Sequence, residues 1–424
     1  MTDKLICGID IGSSKVATVV GIESPEQEET RIIGFNTTKS KGVKKGLIVD
    51  IDQVTQAVEE SVEKAERMAG HKINKAFVSV GGPHIASLNS HGVVAVSNPQ
   101  AEIVEADVER VIDAARAISL SSTRQIIEVS PREFSVDGQS GIKNPIGMSG
   151  VRLEIDTHII TASATNLKNI DRCSADLGIA NAGFIFSGLA SAEAVLTDTE
   201  KDLGAALVDI GGGKIDIALY IEGALSHSAS IPLGAKHITN DIAVGLRVSL
   251  ESAEKIKLFL SKHMKVTKDA AKKKMQEQLS LKDLDIPETL QDVTLKTILD
   301  GIIAPRIEEM YSLIGEEIEK SGFAKQIPSG LIITGGGSLT VGMVEMGRKV
   351  IGLPIRIGTP QKATGLVDEI LDPQYAATIG LILYGKKLSG EEQHSGKDFN
   401  AILKDFSFNS SFGKLKSILK QFIP

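Results

Sequence analysis

Residues Lys4–Ile22 read LICGID, a turn IGSS, then KVATVVGI, and residues Gly204–Ile221 read GAALVDIGGGKIDIALYI. Each stretch is an apolar strand, an Asp-Ile-Gly turn closed by Lys15 or Lys214, and a second apolar strand rich in Val and Ile. Such a pattern predicts a hairpin. A third strand follows each copy, TRIIGFNTT in the first and GALSHSASI in the second. One supersecondary unit repeated about two hundred residues apart predicts two related lobes, each burying its own sheet face. With 424 residues the chain also exceeds what one hydrophobic core usually supports.

The intervening segments fill out that plan. IDQVTQAVEESVEKAERMAG spaces its apolar residues three and four apart, as a helix buried on one face requires. Strands KAFVSVGG and HGVVAVSN, helix ADVERVIDAARAIS, and strands QIIEVSPREFSVDG and VRLEIDTHIITAS then form a block inserted in the first lobe. In the second lobe, helix SLESAEKIKLFLSKHM precedes the lysine-rich KVTKDAAKKKMQEQLSLKDLDIPET, which reads as an exposed helix and loop. The expected divisions are a first-lobe core at 1–82 and 165–201, the inserted α+β subdomain at 83–164, and a second-lobe core at 202–235 and 300–373. They continue with a second-lobe insert at 236–299, a closing helix at 374–388, a polar flexible linker at 389–411 and an amphipathic helix at 412–424.

Charge and cysteine usage exclude several classes. A formal net charge of -7 argues against wholesale nucleic-acid binding. Cys7 and Cys173 share no metal-ligand spacing and are too few for a disulfide framework, which fits a reducing cytosol. The start MTDKLICGIDIG has no apolar stretch long enough for a signal peptide, and no run approaches the roughly 18 apolar residues of a membrane span.

Three glycine turns carry the chemistry: DIGSSK (Asp10–Lys15), DIGGGK (Asp209–Lys214) and TGGGS (Thr334–Ser338). Glycine turns at strand ends can aim successive backbone N–H groups into one anion-binding concavity. The amides around Gly12, Ser13, Ser14, Gly211, Gly212 and Gly213 are thereby candidate phosphate ligands, with Lys15 and Lys214 adding charge. Asp10 and Asp209 would repel a phosphate unless a hydrated divalent cation stood between, and Mg²⁺ is the expected ion. Neither the Walker pattern GxxxxGK[ST] nor GxGxxG is present at these turns.

DIGSSK, DIGGGKID and LIITGGG resemble the two phosphate motifs and the adenosine motif of the actin-like ATPases. The resemblance implies an α/β, actin-like (ribonuclease H-like) two-lobed fold with Mg-ATP clamped in the cleft. It further implies that Gly335, Gly336, Gly337 and Ser338 pack on the nucleoside together with Glu254 and Lys257, where Ser261 shares their helix face. Glu193 falls near the position where such proteins orient the attacking water. Lys214 stands where they usually carry Thr. The inserted block EVSPREFSVDGQSGIKNPIGMSGVRLEIDTHIITAS and the following GFIFSGLASAEAVLTDTEKDLGAALVDIGGG are similar to the FtsA family of bacterial cell-division proteins, from about Lys4 to Leu388. That family implies a protein that polymerises on the inner face of the plasma membrane at the division site, tethers FtsZ there, and meets neighbouring copies and other division proteins through the 83–164 insert. A pilus-assembly relative of the same fold is the nearer alternative, and a sugar kinase or chaperone ATPase the more distant one. Only about thirty-six residues follow Leu388, too few for a chaperone's peptide-binding domain.

The chain ends FGKLKSILKQFIP. On a helical wheel Phe412, Leu415, Ile418, Leu419, Phe422 and Ile423 fill an arc of about 140°, with Lys414, Lys416 and Lys420 outside it. That segregation predicts a helix lying in an anionic membrane surface, apolar face down.

Overall fold

A computed structural model provides the structure and describes residues 4–23, 30–97, 102–263, 284, 286–288, 294–361, 363–365 and 370–394. The lysine-rich segment after His263 lies almost wholly outside the described residues, as do most of the expected linker and all of the terminal basic helix.

Both repeats form hairpins. Lys4–Ile11 pairs antiparallel with Lys15–Glu23, and Ala205–Ile210 pairs antiparallel with Ile215–Ile221. Each hairpin then builds a sheet of the same order. In the first lobe the strands run Ala180–Phe186, Lys75–Val80, Lys4–Ile11, Lys15–Glu23, Thr30–Lys39. In the second they run Ile355–Ile357, Leu331–Thr334, Ala205–Ile210, Ile215–Ile221, Ala224–Ile231. The leading hairpin strand has a parallel neighbour in both lobes, Lys75–Val80 and Leu331–Thr334 respectively. Strands Ala205–Ile210 and Ile215–Ile221 are buried throughout, which explains their near-continuous apolar sequence.

Helices cover the sheets as the periodicity predicts. Ile51–Ala69 buries Val54, Ala57, Val58, Val62 and Ala65, is capped by the Asp50 carboxylate accepting from the Gln53 N–H (3.0 Å), and ends at Gly70 in the left-handed region. Gly34 lets this helix lie on the sheet, since a Cβ there would stand 2.6 Å from the Ala65 carbonyl oxygen. In the second lobe Ala304–Lys320 carries Pro305 in its first turn and buries Ile307, Met310, Tyr311, Ile314 and Ile318.

The insert is a subdomain with its own core. Its strands run in the order Ala86–Ala95, Arg152–Ser163, Arg124–Val136, Gln139–Ile142, and the helix Glu105–Arg116 lies on them. Ile103, Val111, Phe134, Val136, Leu153 and Ile155 form a hydrophobic cluster separate from those of the lobes. It docks on the edge strand of the second lobe: the Ser87 hydroxyl donates to the Ser228 carbonyl (2.7 Å), and His158 Nε2 lies 3.1 Å from Ser228 Oγ.

Two features differ from expectation. The closing helix spans Ala376–His394, six residues beyond the anticipated end, because the polar residues after Leu388 contain no proline to stop an already nucleated helix. A short strand Ala363–Gly365 returns from the second half of the chain to pair parallel with Thr30–Ile32, adding a sixth strand to the first-lobe sheet.

Candidate functional site

The two acidic turns meet across the lobes. Their backbones are closed in the same way: the Gly12 N–H donates to the Lys15 carbonyl (3.0 Å) and the Gly211 N–H to the Lys214 carbonyl (2.9 Å). A Cβ on Gly212 would stand 2.0 Å from Ser14 Oγ, and one on Gly213 2.7 Å from Ser13 Oγ. Turn faces turn at contact distance. Helix Ala235–Leu246 starts against the second turn, with the Ala235 and Lys236 N–H groups donating to the Gly211 and Gly212 carbonyls (2.9 Å each). The Lys236 ammonium reaches over to the Ser13 carbonyl (2.6 Å).

The carboxylates lie beneath these turns. Asp10 accepts from the Ser79 hydroxyl (2.6 Å) and Asp209 from the Ser191 hydroxyl (2.6 Å). Asp216, directly across the hairpin from Asp209, accepts from Ser230 (2.6 Å) and pairs with Lys214. Burial pushes the Asp209 carboxyl up to about 6, with the negative charges of Asp216 and Asp10 acting in the same direction and Ser191 and Lys214 opposing them. The third turn rests on this carboxyl. Gly335 sits at φ +79°, where a Cβ would stand 2.2 Å from Asp209 Oδ1, and a Cβ on Gly337 would stand 2.5 Å from Ile210 Cγ2. A Cβ on Gly336 would stand in ordinary contact with Gln374 Cβ, at 3.6 Å. The Ser338 hydroxyl donates to the Gly335 carbonyl (2.7 Å), fixing the turn. Lys15 donates to Gln374 Oε1 (3.0 Å) and stacks its ammonium 3.8 Å over the Tyr375 ring. Its burial lowers it to about 8, against the pull of Asp10, Asp372 and Asp209.

The family model for the SHS2 domain inserted in FtsA matches residues 82–161, and that for cell division protein FtsA matches 206–380. FtsA of Pseudomonas aeruginosa is 37% identical over 382 residues, covering 90% of this chain and 89% of its own. FtsA of Neisseria meningitidis is 36% identical over 418 residues, covering 96% and 99%. The chain belongs to the FtsA family of cell-division proteins. Solved structures support the actin-like fold: a PilM–PilN type IV pilus biogenesis complex aligns with TM-score 0.63 at 15% identity over 90% of this chain and 98% of that one. MreB5 of Spiroplasma citri bound to AMPPNP aligns with TM-score 0.54 at 12% identity over 92% and 99%.

Within this FtsA-family cleft, Asp10, Asp209 and the three glycine turns come together, and one candidate does not. Glu193 is on helix Ser187–Val195, whose Ser187 and Ser191 face the turns; Glu193, two residues on, points to the opposite side. There it is buried between Lys201 (3.1 Å) and Lys387 (2.7 Å), whose charges pull its pKa down against burial. An ion-paired carboxylate packed against the closing helix lies away from the helix face that carries Ser187 and Ser191, so the structure does not bring Glu193 together with the turns. Glu254 accepts from Lys257 (2.8 Å) and from Thr239, whose hydroxyl also accepts from Lys257 (2.9 Å). Ser261 accepts from the Val341 N–H (3.2 Å), which ties helix Leu250–His263 to the end of the third turn. Lys214 does not point to solvent: it is bound to Asp216 and to the Ser187 hydroxyl (2.9 Å).

Sequence reasoning overlooked Ser79, Ser191, Asp216, Lys236, Gln374 and Tyr375. Only Asp216 had a local signal, since strand alternation from Lys214 puts its side chain on the lysine's face. The others arrive through long-range packing. As for a cation, the oxygen-only donors Asp10 and Asp209 suit a hard divalent ion. Among the described residues no three His, Cys, Asp or Glu groups converge closely enough to ligate one directly. A hydrated Mg²⁺ held through its waters is the species this donor set fits.

Proposed function

We propose that this chain binds Mg-ATP between its lobes and, in that state, assembles on the inner face of the plasma membrane at the division site, where it holds FtsZ. The observation that carries the nucleotide reading is the meeting of the two acidic turns, Ser13 and Ser14 against Gly212 and Gly213. Backbone N–H groups from both turns supply phosphate ligands, and Lys15 supplies charge. Asp10 and Asp209 orient the hydrated ion, which when bound would neutralise phosphate charge. Gly336, where an added Cβ would meet Gln374 Cβ at an ordinary 3.6 Å, leaves an uncrowded backbone for a nucleoside, with Glu254 and Lys257 as its further contacts. Calorimetry with magnesium and ATP checks this directly; absence of heat with wild-type protein would remove the nucleotide from the account.

Attachment rests on residues 412–424, argued from their sequence. No helix among the described residues is long and apolar enough to cross a membrane. Six large apolar side chains in the tail give at most roughly 1.5–3 kcal/mol each when fully buried, and helix ordering offsets much of that. One tail therefore binds reversibly, and a filament of copies binds with avidity roughly a hundredfold or more above a single site. Assembly thus controls attachment, with the insert at 83–164 as the surface for neighbouring copies and other division proteins. Sedimentation with anionic liposomes is expected to pellet the full chain and leave a chain truncated after residue 411 in solution. Equal pelleting of both would end the membrane claim.

A further inference from the structure

The lysine that replaces the usual Thr is placed as a bolt. Its side chain belongs to the second lobe yet runs into the first. A Cβ on Gly81, at the end of first-lobe strand Lys75–Val80, would stand 2.0 Å from Lys214 Nζ; one on Gly46 would stand 2.9 Å from Lys214 Cδ. The stem therefore passes through a slot that exists because both residues lack side chains. At its end the ammonium donates to Ser187 Oγ (2.9 Å), and Ser187 in turn donates to the Val80 carbonyl (3.1 Å). Return contacts complete the circuit: the Gly82 N–H donates to Ser230 Oγ (2.9 Å) and Ser230 to Asp216, the lysine's carboxylate partner. His84, just beyond Gly82, has both ring nitrogens buried without a hydrogen-bond partner; burial and then the Lys214 and Arg124 charges hold it down to about 4, so it stays neutral beside the bolt.

We propose that Lys214 is an interlobe latch, a positioning residue that holds the cleft closed in the absence of nucleotide and slows passage of nucleotide in and out. A Thr at this position is too short to reach Ser187, so the latch is a property of the lysine. The proposal extends the nucleotide reading above, but its structural half stands without it. The ammonium makes charge-assisted hydrogen bonds inside a narrow slot, so removing it loosens the closed arrangement, which Lys236–Ser13 and Ser191–Asp209 still bridge, while the two hairpin ladders stay paired.

Spin labels on Glu59→Cys in the first lobe and Glu251→Cys in the second, both exposed positions, report the interlobe distance in the full chain; the native Cys7 and Cys173 are buried. Without nucleotide, the wild-type background is expected to give one narrow distance distribution. Lys214→Met, which keeps the stem and removes the charge, is expected to give a broader distribution with a longer mean. Gly81→Ala, which puts a methyl where the ammonium lies, is expected to do the same with the lysine intact. Distributions for both variants that superimpose on wild type would overturn the latch. Release of a fluorescent ATP analogue should be about tenfold faster from Lys214→Met, the factor expected for loss of one charge-assisted contact between lobes. Because the distances are taken without nucleotide, a failure of the chain to bind ATP would sink the functional reading and leave the latch to be judged separately.

Discussion

The first and second acidic turns share one backbone and diverge in their side chains. Both place Asp at the same point of the leading strand and close Gly to Lys across the turn. Two identical loops pressed together would compete for the same space. Ser13 and Ser14 of the first copy project into the room left by Gly212 and Gly213 of the second. Their lysines part company as well: Lys15 stacks on Tyr375, whereas Lys214 crosses between the lobes. The aspartates share a serine donor, Ser79 for Asp10 and Ser191 for Asp209, but Asp209 also lies under the third glycine turn, where a Cβ on Gly335 would meet it. A duplicated unit therefore keeps what the ladder dictates and changes what the interface between copies requires.

The largest effect is expected at the third turn, which covers only the second copy. Gly335→Ala forces a Cβ onto a backbone at φ +79° and into the Asp209 carboxylate and the Ile210 carbonyl oxygen, 2.2 and 2.6 Å away. Loss of about 3 kcal/mol or more in denaturant unfolding is expected, together with loss of nucleotide binding. Gly336→Ala, whose Cβ would make only ordinary contact with Gln374 Cβ at 3.6 Å, should change stability by less than about 1 kcal/mol. Equal behaviour of the pair would mean that the turn does not bear on Asp209.

The hairpins, the duplicated lobes, the insert and the three turns were legible in the sequence because strand alternation, helical spacing and glycine punctuation are local signals. The partners of the carboxylates were not. Ser79 and Ser191 sit about seventy and twenty residues from the aspartates they serve, and nothing in either neighbourhood distinguishes them from ordinary strand or helix serines. Glu193 shows the complementary limit: spacing located its helix but not which face the helix turns inward, and packing against Ala376–His394 puts Glu193 beside Lys387. The Ala363–Gly365 strand escaped notice because three residues carry no periodicity.

A second test sets Asp209→Asn against Asp10→Asn. Both remove a carboxylate from the proposed ion site, but Asp209 is nearly fully buried and its field is less screened by water. Magnesium-dependent ATP affinity should fall about a hundredfold for Asp209→Asn and about tenfold for Asp10→Asn, the range seen when groups that orient a metal are removed. The same asymmetry predicts a pH effect. The Asp209 carboxyl is raised from 3.8 to about 6 on folding, so its contribution to stability is fully present below pH 3.8 and is lost as pH rises through 6, on the order of 3 kcal/mol in all. Burial is the main cause of that rise, Asp216 and Asp10 add to it, and the Ser191 hydroxyl and Lys214 oppose it. The nucleotide-free protein should unfold more easily at pH 7 than its other groups alone would dictate, with Asp209→Asn flattening the profile between pH 4 and 6. Magnesium-nucleotide affinity should run the opposite way, weakening as pH drops below 6, because the ion requires the carboxylate.

The smallest effect on the cleft is expected from Glu193→Gln, which separates helix packing from chemistry. Glu193 is bound by Lys201 and Lys387 and its pKa is lowered, so the folded state favours its charged form. Gln keeps the shape but leaves two lysines facing a neutral amide, and the cost should appear as lost stability, a few kcal/mol at most because the Lys387 side chain is half exposed. ATP affinity and any phosphate release should stay at wild-type values, since the side that meets the acidic turns belongs to Ser187 and Ser191. A drop in phosphate release with unchanged affinity would return Glu193 to the reaction and require the helix Ser187–Val195 to rotate when nucleotide enters. That rotation would pull Ser191 from Asp209 and Ser187 from Lys214, so it could not occur without loosening the second turn and leaving the first as it stands.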